Sequence, residues 1–527
     1  MTPPLGNKSD RLQWFHGLGF GLFIHWSMDS QLGSVIGHSM AGASEDYLAR
    51  YIEVLPTTFS PGKFDPDEWA VLAKLAGMRY VVFTTKHHSG FCMFHTGTTD
   101  FSISNTPFER DITAEVIEAF RRQGIAIGLY FSPDDFHFLH GKRRPVHRGV
   151  KPEECEGLLD HNQAQVRELL TNYGKVDIVF FDGPSDGLRE VCWETDPDTV
   201  VTRGAIATPE QRLPGTQSAE PWEACVTMGT GWQYKPTNEH YKSGTRLIEL
   251  LIETRAKGGN LLLNVGPKPN GELPLEQEAL LREIALWNFV NGEAIYRVRP
   301  WRIPCEGDVW FTAAEEGDAV YAFVEGDSPW PLGERRELSL FSIRAGEQAT
   351  VQILGQADDL VAADGPAVEW SQEEDRLQIS VARMQRLYNN RRWPNPVVLK
   401  ITSANVGLVP PTVITGEAVT DTASSSCLFQ ARLADLGEGD AVETGFQYRL
   451  RKLLTEASDE WRETDCESLR STGEYSIGIG QLEPGATYEF RAVAHYRSVT
   501  VYGDNVTFRV PAPPTTGDAA RRSPSGS

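Results

Sequence analysis

Residues 177–183 read DIVFFDG, four apolar side chains between two aspartates with a glycine behind the second. The run is too short for a helix, and its unbroken apolar centre is that of a strand buried on both faces of a parallel sheet. Upstream lies LDHNQAQVRELLTNYG (159–174), whose apolar residues recur at three- and four-residue spacing and which ends in glycine, the pattern of an amphipathic helix. Before it comes a second strand-like run, IAIGLYFS (125–132). The same grammar extends outward through GFGLFIHW (19–26), YVVFTTKHH (80–88), TVVTRG (199–204) and NLLLNVG (260–266). Helical segments such as FDPDEWAVLAKLAG (64–77) and ITAEVIEAFRRQG (112–124) stand between them. This alternation predicts an α/β fold, either a (β/α) barrel or a doubly wound sheet. The TIM-like barrel is preferred, because no GxGxxG or Walker loop follows any strand. In a barrel the strand ends bearing His25, His87, His88, Tyr130, Asp182 and Arg203 would also converge on one mouth.

After LLREIALWNFVNGEAIY (280–296) the pattern turns to short alternating strands broken by Gly, Asp and Pro. The expected organisation is a catalytic barrel over 1–297, a β-sandwich over 298–405, a fibronectin type III-like module over 406–512 and a disordered tail over 513–527. The third unit opens at GLVPPTV (407–413) and carries Tyr488 within LEPGATYEFRAVAHY, which reads as a tyrosine corner. These C-terminal modules could pack on the barrel, bind glycans or join subunits into a homo-oligomer; the sequence leaves the alternatives open.

Hydrophobic residues are 40% and charged residues 23% of the 527, the balance of a globular chain. A net charge of −22 excludes nucleic acid as a partner, since phosphate contacts need clustered Lys and Arg. No run approaches eighteen apolar residues, so no membrane span is expected. The start MTPPLGNKSD lacks an apolar signal core, which gives a cytoplasmic expectation, or a secreted one had a leader been trimmed. The seven cysteines are scattered with no CxxC pair and read as free thiols.

Glycosidic cleavage by the usual route needs two carboxyl groups flanking the bond. Asp182, at a strand end and before Gly183, is placed to be one. Alone it would be a turn or capping residue, but the His, Tyr and Arg at neighbouring strand ends favour a site. His87 and His88 would point to opposite faces within a strand, and Ser89-Gly90 supplies a turn that could present both. His25, among Phe23, Ile24 and Trp26, would by itself be a core histidine, and Tyr130 a core tyrosine.

FGLFIHWS, SEDYLARY, TTKHHSGF, GLYFS, FFDG, TPEQRLPG, PWEAC and GGNLLLNVGP occur in this order between about residues 11 and 305. In order and spacing they resemble the α-L-fucosidases of glycoside hydrolase family 29. The resemblance implies a retaining exo-glycosidase acting on terminal α-L-fucosides of glycans, without a cofactor or metal, with Asp182 as nucleophile. It implies that His25, Glu45, His87, His88, Tyr130 and Arg203 hold the fucose hydroxyls and that Trp222 forms an aromatic wall. Glu223 in PWEAC matches the preferred acid/base position, with Glu220 and Glu210 as rivals and Glu45 a further carboxylate near the sugar. The chain departs from the common pattern at Ser27, at Phe131 and in the insert DSQLGSVIGHSMAGA (29–43).

Two other readings use the same residues. A metal-dependent hydrolase would bind zinc through His25, His87, His88 and Asp182, although no HxH or HExxH spacing is present. A catalytically inactive carbohydrate-binding protein would keep the cavity without turnover.

Overall fold

A computed structural model describes residues 5–326, 328–357, 366–388, 391–420, 426–451 and 461–512. The segment 513–527, expected to be a disordered tail, lies outside them. Seven strands form one sheet: β1 (Phe20–Ile24), β2 (Tyr80–Lys86), β3 (Ala126–Phe131), β4 (Ile178–Phe181), β5 (Val200–Val201), β6 (Trp222–Thr227) and β7 (Gly259–Val265). Their order is β5-β4-β3-β2-β1-β7-β6, with every pairing parallel. Helices such as Ile112–Arg122, Leu158–Asn172 and Gly244–Ala256 connect them.

The sheet curls. Alternate side chains of its strands enter two separate apolar clusters. Phe23, Tyr80, Val82, Tyr130, Ile178, Phe180, Val200, Cys225 and Leu262 gather inside with Phe15 of the helix Ser9–Leu18. Leu22, Val81, Leu129, Phe181, Trp222, Ala224 and Leu263 join the larger core outside. The edge strand β6 is flanked by the segment 206–211, where Glu223 N donates to Ala207 O at 3.0 Å and Cys225 N to Pro209 O at 3.1 Å. This strand is not among the six runs read from the sequence, where PWEAC stands only as a motif.

Beyond residue 297 all pairing is antiparallel among the described residues. Val298–Glu306, Val309–Ala314, Val320–Val324, Val351–Ile353 and Val397–Ile401 form a five-stranded sheet. Its apolar face is continuous with the core around the parallel sheet: Trp287 of the helix Leu275–Asn291 lies 6.3 Å from Phe323, and its Nε1 donates to Pro396 O at 2.8 Å. Residues 412–510 enclose a separate core in which Phe429 stacks on Phe490 at 4.3 Å. There the Tyr488 hydroxyl accepts the Glu483 N–H at 3.1 Å.

Tyr80 fills the inner floor because its register partner across the sheet is Gly21. A Cβ at Gly21 would lie 2.4 Å from the Tyr80 ring. Gly21→Ala is therefore expected to destabilise the chain by about 1–3 kcal/mol. The measurement is a fall in the urea midpoint at unchanged slope.

Candidate active site

Asp182 stands one residue beyond β4, its N–H donating to Phe131 O at 3.1 Å, and the chain turns away through Gly183 at φ 148°, a conformation open to glycine. Its side chain is only 17% exposed and each oxygen is held. Arg203, just past β5, donates Nη1 to Asp182 Oδ1 at 2.8 Å, and Tyr130 donates its hydroxyl to Oδ2 at 2.8 Å. His88 Nε2 lies 3.4 Å from the same Oδ2, and Arg148 Nη2 lies 3.9 Å from Oδ1. Burial alone would raise the carboxyl, but His88 and then Arg203 outweigh it and hold it well below the usual carboxylate range.

The second nitrogen of the same guanidinium reaches another acid: Arg203 Nη2 donates to Glu210 Oε2 at 2.8 Å. Glu210 comes from the segment running beside β6. Asp182 and Glu210 both line a cavity of about 200 Å³, together with His25, His87, Tyr130 and Arg203. That is room for roughly seven waters, and below the roughly 300–1,000 Å³ usual for drug-sized ligands; it suits one small ring. Phe23, Phe180, Val35 and Trp232 supply an apolar wall.

Of the residues read from sequence, His25, His87, Tyr130, Asp182 and Arg203 meet here, and His88 abuts Asp182. His25 Nδ1 is engaged with Asn264 Oδ1 at 2.6 Å, and its buried ring is pushed down to about 3 by burial, leaving it neutral. His87 stacks on Tyr130 at 5.2 Å and is likewise held neutral by burial. Glu45 is placed elsewhere: it opens the helix Glu45–Glu53, is 80% exposed, and pairs with His140 at 2.8 Å beside another cleft. Glu220 is exposed just before β6 starts.

Glu223 and Trp222 do not reach the cavity either, because both lie at the start of β6. Glu223 points inward two residues below Cys225, the residue of β6 that does line the cavity, and it is fully buried. It accepts the Tyr80 hydroxyl at 2.6 Å. Trp222 points outward and donates Nε1 to Lys257 O at 3.3 Å. Residues that sequence reasoning missed are Trp232, whose ring lies 4.8 Å from that of His25, Arg148, and Val35 and His38 from the insert. The prior signal for the last two was that the insert departs from the common pattern between two of the motifs.

A family model described as Alpha-L-fucosidase matches residues 5–293. An α-L-fucosidase of Branchiostoma floridae is 30% identical over 405 residues, covering 67% of this chain and 87% of its own. The chain belongs to the α-L-fucosidase family, glycoside hydrolase family 29. The tissue α-L-fucosidase of Homo sapiens is 29% identical over 70% of this chain and 85% of its own. Among solved structures, α-L-fucosidase isoenzyme 1 of Paenibacillus thiaminolyticus superposes with TM-score 0.61 at 28% identity, covering 74% of this chain and 98% of that one. An α-fucosidase of Thermotoga maritima in complex with fucose gives TM-score 0.58 at 25% identity, covering 74% and 96%. Among the described residues no helix of this fucosidase family member is long and apolar enough to cross a membrane.

Two outcomes follow from the electrostatics. In Arg203→Met the Asp182 carboxyl loses the guanidinium that donates Nη1 to its Oδ1, so its pKa rises toward the ordinary range; the acidic limb of kcat/KM on an aryl fucoside should move to higher pH. A pH–rate profile reads this directly. Glu223, by contrast, is pushed up to about 7 by burial, against its Tyr80 and Thr202 contacts, so the folded state holds a proton that the unfolded chain releases near 4.5. Its contribution to stability is intact below the unfolded value and is lost as pH rises through 7, by about 3 kcal/mol in all. Glu223→Gln should remove that decline, and urea titrations at pH 5 and 8 would show it.

Proposed function

We propose that this α-L-fucosidase family member releases terminal α-L-fucose from glycans by double displacement, with Asp182 as nucleophile and Glu210 as acid/base. The observation that carries the reading is the shared guanidinium of Arg203, which binds Asp182 and Glu210 at 2.8 Å each. They are the two acids lining the cavity among the described residues. Asp182 attacks the anomeric carbon while Glu210 delivers its proton to the departing oxygen; water then enters as Glu210 takes a proton back, and the ester on Asp182 is released. Retention calls for the carboxyls to be about 5–5.5 Å apart around the sugar. One negative charge is present throughout, on Asp182 before attack and on Glu210 after it, and Arg203 can pair with either.

His25, His87, His88 and Tyr130 are the hydroxyl-binding groups in this reading, and Trp232 with Phe23 and Phe180 faces the apolar methyl of the deoxy sugar. The acid/base assignment rests on Glu210 rather than Glu223, because a carboxyl sealed beneath Cys225 has no path to a substrate. For the architecture, we read the curled sheet as a TIM-like barrel completed by the segment 206–211. Residues 298–405 are read as a β-sandwich, and 406–512 as a fibronectin type III-like module in which the bond from Glu483 N to Tyr488 is the tyrosine corner.

Asp182→Ala is expected to lose about a thousandfold or more in turnover. Glu210→Ala should be slow on natural glycosides yet recover on an activated aryl fucoside with azide, giving the fucosyl azide of retained configuration. Glu223→Gln should keep turnover within about tenfold. Azide rescue of Glu223→Ala with none at Glu210→Ala would transfer the role back to Glu223.

A further inference from the structure

The insert 29–43 does more than narrow the cavity. Its buried Asp29 accepts the Gly37 N–H at 2.8 Å and the Tyr51 hydroxyl at 2.8 Å, which fixes the turn before the short helix His38–Met40. Gly37 sits at φ 64°, and a Cβ there would lie 2.6 Å from His87 Nδ1, so only glycine lets the turn come this close. His38 is thereby brought over His87 and His88, with ring centroids 5.6 and 4.9 Å away. One ring nitrogen of each of the three lies within 4.8 Å of the others. Nδ1 of His87 and Nε2 of His88 are both buried without a hydrogen-bond partner.

The other nitrogen of His88 is bonded to Ser132 Oγ at 2.6 Å, with Asp134 Oδ2 at 3.7 Å. With its proton on Nδ1, towards Ser132 Oγ, the ring offers Nε2 as a lone pair, as in metal-bound imidazoles; the other tautomer turns that proton towards Asp182. Three ligands on one tetrahedral ion at about 2.0–2.1 Å stand roughly 3.4 Å apart, so modest ring rotations would close the set. Imidazoles suit zinc, copper, nickel and cobalt.

We propose that His38, His87 and His88 form an inhibitory site for a divalent transition metal, zinc above all, at the mouth of the cavity. An ion on His88 Nε2 would face Asp182 Oδ2, 3.4 Å from that nitrogen, and would draw the carboxylate away from a substrate. Binding stands on the histidine geometry alone, whereas the inhibition rests on the nucleophile reading above; calorimetry and kinetics separate the two.

The test titrates Zn²⁺ into the full chain by calorimetry. One ion per chain is expected, with affinity reduced at least tenfold in His38→Asn and largely restored in His38→Cys, which returns a ligand. Zn²⁺ should inhibit aryl fucoside hydrolysis competitively and EDTA should reverse it, again with at least tenfold lower sensitivity in His38→Asn. Cobalt bound to the unaltered chain should show tetrahedral d–d bands without thiolate charge transfer, which keeps the test open if a variant does not fold. Unchanged zinc affinity in His38→Asn would overturn the site. So would a thiolate band, or loss of binding in Cys466→Ser instead, since Glu463, Cys466 and His495 form the other cluster of this kind among the described residues. Stoichiometric binding at the histidines without inhibition would overturn the inhibitory role.

Discussion

The site depends on one cation placed between two acids. Arg203 leaves the end of β5 half-buried, and its planar fork lets one nitrogen hold Asp182 while the next holds Glu210. A lysine at this place would be a single point charge and could not grip two carboxylates at fixed separation. The fork also lies over the Phe180 ring at 5.1 Å, so an aromatic side chain of the neighbouring strand sets its height in the cavity. Tyr130 and His88 complete the hold on Asp182 from the opposite side, and its carboxylate is left with little freedom to rotate.

Beneath this layer the interior changes character. The inward positions of β6 descend from Cys225, at the cavity, to Glu223, on the floor with Tyr80. Burial raises both acids, and they differ in what opposes it. Asp182 has His88 and Arg203 beside it and remains charged; Glu223, raised by burial to about 7 with a tyrosine hydroxyl as partner, keeps its proton well above the ordinary carboxyl range. A neutral buried carboxyl is tolerable where an unpaired carboxylate would not be.

Much of this was legible in the residue order. Six of the seven parallel strands announced themselves as short apolar runs ending in polar residues, because strands buried on both faces carry no polar alternation to confuse the reading. The strand ends delivered His25, His87, Tyr130, Asp182 and Arg203 to one place for the same reason. WEACVT was the exception: a proline before it and a glutamate inside it resemble a loop, and only the curled sheet shows that the glutamate is an interior residue with a tyrosine partner. Without that strand the sequence placed Glu223 and Trp222 together at the sugar, whereas one residue of register turns one inward and the other outward. The aromatic wall came instead from Trp232, and the second acid lining the cavity is Glu210, named from the sequence only as a rival; both lie on irregular stretches where no periodicity marks direction. The insert was visible as an interruption, but its descent onto His87 follows from a glycine conformation and a buried aspartate that no pattern of hydrophobicity encodes.

The apolar core passing without a break from the parallel sheet into residues 298–404 has a consequence for how such a chain could be shortened or recombined. Cutting at 297 would strip the cover from Trp287 and leave its indole N–H without Pro396, so the part bearing the active-site cavity and its antiparallel neighbour are one inheritable unit. The unit around Phe429 and Phe490 has its own aromatic centre, but Val499 packs with Ile303 and Leu408 and Ser498 bonds Glu306, so exchanging it between proteins would also have to carry that seam.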